Sequence, residues 1–279
     1  MLVSNDKTIV IITYDYERYL LEINLRSINK YLEPCEIIII YCDKNLQYNN
    51  WLTWAQKCIV PLIPNHTIHL YDCNYFYQAS TVKNWRNFAY ALKLFASSVV
   101  SSDCYWSLDS KSFFFKPTIF TQLLEEFPRD LFLEGYRDDL SYFSNTYEIQ
   151  NTKYKMWTHP FKFITSVCRE MVAQKINFEL HPDLMVNYSE QLNYQAFCYK
   201  NNIELSPGQC SVNNSIAYPG RKYSAKQLIA YMKSKDPAVR CTGIHVSVAE
   251  KFDKNTFNAI ITYVGGKDLI PKSTPWTFN

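Results

Sequence analysis

The stretch CYWSLDSKSFFFKP, residues 104–117, ends a short apolar run on Asp109 and continues with Ser110, Lys111 and three phenylalanines. The run 103–109 predicts a buried β-strand that delivers Asp109 to its carboxyl end. Three interpretations are open at this point. The stretch is a metal site with an ammonium in place of one carboxylate, a site that uses lysine instead, or only the end of a strand.

The sequence before this strand alternates between strand and helix patterns. Continuous β-branched runs predict strands buried on both faces, and apolar residues at helical spacing predict the segments between them. This order is typical of an α/β fold with a mainly parallel sheet flanked by helices and right-handed connections. The predicted strands are 8–14, 36–42, 66–72 and 103–109, and the predicted helices are 15–31, 49–57 and 85–99.

The sequence after Pro117 predicts a more helical C-terminal part. A polar segment rich in Tyr and Asn, residues 138–158, is expected to be a functional loop because long loops in compact domains usually are. One domain is expected over 1–264, followed by a surface tail over 265–279. The predicted helices are 118–127, 161–176, 188–201, 224–234 and 253–263, and the predicted strands are 131–136, 209–213 and 241–246.

Composition excludes several classes of protein. The six glycines form neither of the glycine-rich motifs that cradle phosphates. Nine cysteines without a CxxC pair argue against a zinc ribbon and a secreted disulfide framework. No basic and apolar leader opens the sequence, and no apolar run approaches the roughly 20 residues of a membrane span. A cytoplasmic protein without a membrane span is therefore expected.

The net charge of +3 is small but uneven. Residues 200–240 hold seven basic side chains against two acidic ones. A solvated helix face explains such a segment, and a patch for an anionic partner is the alternative.

Polar residues end three of the predicted strands. They are Thr13 with Tyr14, then Asp43, and then Asp109. Ligands of open α/β sheets bind at the carboxyl ends of the strands. A carboxylate there accepts from a ribose hydroxyl or a base N–H, or coordinates a hard cation. Together these residues predict a functional cleft at one edge of the sheet.

The segments WRNFAYALKLFA (85–96) and YWSLDSKSFFFKP (105–117) resemble the core of the GT-A class of nucleotide-sugar glycosyltransferases. They are most similar to a bacterial and phage branch with LDS-[KD]-x-[FH]-F followed by proline. NYSEQLNYQAF (187–197) and TGIHVSVAE (242–250) resemble later segments of that branch. The resemblance implies a nucleotide-binding half over 1–117 and an acceptor half over 118–264.

The resemblance also implies roles for individual residues. Asp43 would meet the nucleoside, Asp109 would take the place of the first motif aspartate, and His245 would be the distant metal ligand. Glu190 would be the general base that takes the acceptor hydroxyl proton. Lys111 departs from the pattern, because the class normally has its principal metal carboxylate there. Structural explanations remain open: capping for Glu190, a structural role with satisfied hydrogen bonds for His245, and a solvated side chain for Lys111 and, on the polar side of the predicted helix, for Lys93 and Arg86.

Loss of a nucleoside diphosphate requires its negative charge to be stabilised. A divalent metal, Mn²⁺ or Mg²⁺, does this in the resembled class, and lysines supply part of the same stabilisation. We favour a metal on Asp109 and His245 with Lys111 on the phosphates, and the alternative is a metal-free set of basic side chains. The residues expected to bind a UDP-type donor are Thr13, Tyr14, Asp43, Arg86 and Lys93, and those expected to act in catalysis are Glu190, Asp109 and Lys111.

The predicted activity is therefore hexosyl or pentosyl transfer to an acceptor hydroxyl. The acceptor is a polysaccharide precursor or, for a phage-type enzyme, a hydroxymethylated DNA base that would have to be flipped out. A catalytically silent nucleotide- or glycan-binding module on the same fold is the alternative. A nucleotidyltransferase fits less well, because TYDYERYL has only Arg18 where a basic loop would cradle the nucleotide.

Overall fold

A computed structural model of the chain describes residues 7–43, 48–78, 85–123, 160–174, 190–203, 216–217, 223–232 and 240–271. Its strands are β1 (Thr8–Thr13), β2 (Glu36–Tyr41), β3 (Thr67–Asp72), β4 (Cys104–Asp109), β5 (Ser112–Phe114), β6 (Phe161–Ile164), β7 (Ile216–Ala217) and β8 (Cys241–Ile244). Its α-helices are α1 (Arg18–Tyr31), α2 (Tyr48–Cys58), α3 (Trp85–Phe95), α4 (Thr165–Ala173), α5 (Glu190–Lys200), α6 (Ala225–Met232), α7 (Val246–Ala249) and α8 (Lys254–Gly265).

The main sheet has five strands in the order β3-β2-β1-β4-β6. The first four are parallel, and β6 pairs antiparallel to β4. The chain builds outward from β1 through β2 to β3, and then returns to the other side of β1 for β4. The strand order therefore reverses between β1 and β4, which is where ligands bind in open α/β sheets.

Both faces of the main sheet are buried, because alternate residues of each strand point to opposite layers of helices. On one face Val10 and Ile38 belong to the same core as Leu92 of α3. On the other face Ile39 belongs to a core with Trp51 of α2, together with apolar residues of α1. The isoleucine-rich strands are continuous apolar runs because both faces of each strand are buried, as expected of a parallel sheet covered by helices.

A second, smaller sheet has the order β5-β8-β7, with β5 antiparallel to β8. Its apolar side lies in a third core that also contains residues of α1, α6 and α8. This core includes Leu269, which is fully buried. The first residues of the segment predicted to be a surface tail are therefore packed: α8 runs to Gly265, and a turn of 3-10 helix follows over Lys267–Leu269.

The described structure confirms the α/β class and the mainly parallel sheet flanked by helices. The helix predicted over 161–176 is wrong at its start, because Phe161 and Phe163 alternate into the core on β6 before α4 begins. The helix predicted from 118 is, within the described residues, a short 3-10 helix over Phe120–Leu123. Among the described residues, no helix is long and apolar enough to cross a membrane. The expected strands 131–136 and 209–213 and the expected loop 138–158 lie outside the described residues.

Candidate functional site

Asp109 is the last residue of β4 and pairs in register with Ile12 near the end of β1. It therefore sits at the point where the strand order reverses. Its carboxylate is bound by two ammonium groups: Lys93 Nζ lies 3.0 Å from Oδ1, and Lys111 Nζ lies 2.9 Å from Oδ2. The side-chain amide of Asn24 on α1 donates to the Asp109 backbone carbonyl at 2.9 Å. The carboxylate is thus held from both sides at the carboxyl edge of the sheet.

Lys93 comes from the last turn of α3 and is only 2% exposed. Its ammonium also donates to Glu190 Oε1 at 2.9 Å, so one nitrogen joins Asp109 to the first residue of α5. Burial lowers the pKa of Lys93, but the adjacent Asp109 and Glu190 carboxylates raise it further, and the net pKa lies above its usual value. Lys93 is therefore an internal cation, not the solvated residue that its place on the polar side of the predicted helix indicated.

Lys111 lies in the two-residue turn that joins β4 to β5. Its backbone carbonyl accepts from Ile244 N–H at 3.2 Å, which ties this turn to β8 of the small sheet. Its side chain is 19% exposed. Lys111 thus presents a partly exposed ammonium at the edge where Asp109 ends.

Glu17, which the sequence did not single out, also belongs to this cluster. It is 6% exposed in the 3-10 turn after β1, and its carboxylate accepts a hydrogen bond from Ser110 Oγ. Burial raises the pKa of Glu17, although the nearby Lys111 ammonium and the Ser110 hydroxyl oppose that shift. A carboxyl group therefore packs beneath the turn that carries Lys111.

The ends of β1 and β2 lie beside this cluster. Thr13 is fully buried, and among the described residues its hydroxyl has no hydrogen-bond partner. Tyr14 stacks on Tyr16 with ring centroids 5.2 Å apart, and Tyr16 is 56% exposed. Asp43 accepts from the backbone N–H of Asp15 at 3.4 Å. The expected nucleotide-binding residues Thr13, Tyr14 and Asp43 therefore share one edge of the sheet.

Two other predicted residues are placed less directly. Arg86 lies in the first turn of α3, and its side chain is outside the described part of the structure. His245 follows β8 and is the N-cap of α7, where its Nδ1 accepts from the Ser247 backbone N–H at 3.2 Å. The sequence predicted a strand through residue 246, but the strand ends at Ile244 because His245 begins this helix.

The divalent cation implied by the resemblance does not fit the donor set around Asp109. Each carboxylate oxygen already accepts from an ammonium group, and a divalent cation on either oxygen would lie beside a lysine whose charge repels it. Within the described ranges no group of three or more His, Cys, Asp or Glu side chains could hold a metal ion. The pairing of Asp109 with His245 as metal ligands stays a prediction without support from this geometry.

No protein-family model matches the sequence, and no curated protein matches it. Several solved structures do match this chain. The bifunctional glycosyltransferase WbbM in its apo form matches with a TM-score of 0.50 and 15% identity over 97% of this chain and 52% of WbbM. The galactosyltransferase LgtC, in complex with donor and acceptor sugar analogs, matches with a TM-score of 0.46 and 12% identity over 92% of this chain and 96% of LgtC. The apo form of GlyE from Streptococcus pneumoniae TIGR4 matches with a TM-score of 0.36 and 11% identity over 70% of this chain and 43% of GlyE.

The chain thus spans about half the length of WbbM. At this identity the likeness concerns the fold alone. It agrees with the α/β arrangement expected from the sequence, a mostly parallel sheet flanked by helices as in GT-A glycosyltransferases.

Proposed function

We propose that this chain transfers a sugar from a nucleoside-diphosphate donor to an acceptor hydroxyl. The observation that carries the proposal is the charged cluster of Lys93, Asp109 and Lys111 at the reversal of strand order between β1 and β4. Ligands of open α/β sheets bind in the crevice at such a point. The likeness of the fold to WbbM, a glycosyltransferase by name, supports the same reaction class.

The donor would be divided between the two sides of this edge. We assign the nucleoside to the ends of β1 and β2, where Tyr14 offers an aromatic face and Asp43 offers acceptors for a ribose hydroxyl or a base N–H. We assign the diphosphate to the side of Lys111, whose ammonium is the partly exposed cation of the cluster. We propose Arg86 on α3 as a second cation for the diphosphate.

In the reaction, the bond from the anomeric carbon to the diphosphate oxygen breaks, and its electron pair leaves with the phosphate. A cation beside that oxygen stabilises the charge as it develops. The acceptor hydroxyl oxygen forms the new bond to the anomeric carbon, and its proton passes to a base, for which we propose Glu190. Hexosyl or pentosyl transfer from a UDP-type donor fits this division.

A polysaccharide precursor is the acceptor that we propose. A hydroxymethylated DNA base finds no support in the described residues. That alternative depended on the basic segment 200–240, of which only 200–203, 216–217, 223–232 and 240 are described.

A panel of nucleotide sugars tests the proposal by measuring release of nucleoside diphosphate, with and without candidate acceptors. We expect release from at least one donor and its loss in Asp109→Asn, which weakens the anchor of both lysines. The matched control is Asp72→Asn, at the end of β3 on the same edge, where the carboxylate caps a 3-10 turn. The control should keep the activity. Absence of both donor turnover and nucleoside-diphosphate binding would contradict the proposal.

A catalytically silent nucleotide- or glycan-binding module is the second candidate. One observation favours it: Glu190 is 3% exposed and its Oε1 is bound to Lys93, whereas a general base must reach the acceptor hydroxyl. Calorimetry that shows donor binding, together with no turnover for any donor and acceptor pair, would establish this candidate over the first.

A further inference from the structure

The two oxygens of the Asp109 carboxylate have separate partners from separate elements. Oδ1 accepts from Lys93 on α3, and Oδ2 accepts from Lys111 in the β4–β5 turn. A divalent cation on either oxygen would have to lie beside an ammonium that is already bound there, where like charges repel.

Lys93 is the harder of the two lysines to displace. It is buried, and its ammonium joins two carboxylates, Asp109 and Glu190. Moving it would leave both carboxylates without this partner in an environment of low dielectric, which is costly. A cation that kept Lys93 in place would therefore have to approach Oδ2, which the Lys111 ammonium already contacts.

Lys111 is held at both its backbone and its side chain. Its carbonyl accepts from Ile244 N–H, and the next residue, Ser112, pairs with Gly243 across the small sheet. Its ammonium is fixed by Asp109 and is nevertheless partly exposed at the edge of the sheet. A lysine ammonium has three donors, so the contact with Asp109 does not by itself saturate it. The Lys111 ammonium therefore supplies a positive charge at this edge of the sheet.

We propose that the cleft binds the donor diphosphate through Lys111 without a divalent cation, and that Asp109 is a positioning residue for the two lysines. The proposal rests on the proposed function, because it concerns the same donor. When the sugar leaves, the electron pair of the broken bond stays on the diphosphate, and the Lys111 ammonium stabilises that charge while keeping its own protons.

Calorimetric titration of the full chain with UDP, in EDTA and separately in Mn²⁺, tests this directly. We expect the same dissociation constant in both buffers, within about threefold. Binding that requires Mn²⁺ would overturn the inference and leave the proposed function standing. Absence of UDP binding in both buffers, with no turnover of any donor, would overturn both.

Three variants of lysine sharpen the test. In EDTA, Lys111→Met should weaken UDP binding about 10- to 100-fold, as expected for loss of one hydrogen bond to a charged group. Lys111→Arg should recover part of that loss because it keeps the charge. Lys116→Met, just beyond the other end of β5, is the matched control and should bind as the wild type does. Unchanged binding in Lys111→Met would overturn the inference.

Lys111→Asp places two carboxylates one residue apart, at positions 109 and 111, and removes the competing ammonium. Thermal unfolding should then respond to Mn²⁺: we expect the cation to raise the melting temperature of Lys111→Asp and to leave that of the wild type unchanged. This readout is independent of turnover and of UDP. A wild type stabilised by Mn²⁺ as strongly as the variant, or a variant without any response, would overturn the exclusion of the cation by Lys111.

Discussion

The two sheets of the described structure meet at the turn formed by Ser110 and Lys111, and they are built differently. The main sheet is built on four parallel strands of six residues each, with the shorter antiparallel β6 at one side and helices on both faces. The small sheet joins strands of three, four and two residues that come from distant parts of the chain. Lys93 belongs to the layer of the main sheet, and Lys111 is tied to the small sheet through β8. The two cations on one carboxylate therefore differ in how firmly the fold holds them.

Removing the two lysines in turn should produce the largest difference. Lys93→Met leaves Asp109 and Glu190 without their shared buried partner, and we expect the free energy of unfolding to fall by about 3–5 kcal/mol. Lys111→Met removes a partly exposed ion pair, so we expect a loss of about 1 kcal/mol or less. Urea denaturation of both variants measures the difference.

The double variant Lys93→Met with Glu190→Gln is the control for this interpretation. It removes one of the two carboxylates that Lys93 neutralises, so it should recover part of the stability lost in Lys93→Met. Equal losses for Lys93→Met and Lys111→Met would mean that the fold holds the two lysines equally firmly. A double variant less stable than Lys93→Met would mean that the unpaired Glu190 carboxylate is not a source of the lost stability.

A matched pair of substitutions compares the stability of the two sheets, and its expected effect is smaller than that of the lysine variants. Ile39 on β2 and Ile244 on β8 are both fully buried. Ile39→Val and Ile244→Val each delete one methylene, and each should cost about 0.5–1.5 kcal/mol if the sheets unfold together. Native-state hydrogen exchange should still distinguish them, because short strands on fewer hydrogen bonds open more easily. We expect lower protection for the amides of β8 than for those of β2, and the reverse order would contradict the comparison.

The same contrast explains how much of the structure the sequence predicts. The main sheet is predictable because its strands are long β-branched runs separated by helices of clear amphipathic spacing, as in 8–14 and 85–99. The small sheet is not, because FFF at 113–115 and TGI at 242–244 are too short to indicate pairing with each other. The sequence pattern places Phe161 and Phe163 in a helix because the apolar residues of α4 continue directly after them.

The candidate site follows the same division. Its position could be predicted, since Asp43 and Asp109 follow strands whose carboxyl ends meet at one edge. Glu17 could not, because a glutamate in the charged turn DYER is typical of a solvent-exposed residue. Its burial results from packing against the turn at Ser110, 93 residues later in the chain. Asn24 carried a weak signal, a polar residue between Ile23 and Leu25 in the apolar part of α1.

The smallest effect concerns Glu17, which lies where the two sheets join. Burial raises its pKa above the ordinary 4.5, so the folded chain holds this proton more tightly than the unfolded chain does. The stabilising contribution of the protonated form is therefore complete below pH 4.5 and is lost as the pH rises through the raised pKa of the folded state. Glu17→Gln keeps an acceptor for Ser110 and does not titrate. Its stability relative to the wild type should therefore increase with pH, starting near pH 4.5.

Glu33→Gln, just beyond the other end of α1, is the matched control. Burial opposes ionisation there too, but the hydrogen bonds from Lys7 and from the Phe120 N–H hold the pKa of Glu33 below its ordinary value. Its stabilising contribution is present above pH 4.5 and is lost as the pH falls through the lowered pKa, so its slope has the opposite sign. Urea unfolding of the wild type and both variants, from below pH 4.5 to neutral pH, measures the two slopes. Slopes of the same sign would mean that the carboxyl group of Glu17 is not buried under the Lys111 turn. The close packing of the two sheets at that turn would then be contradicted.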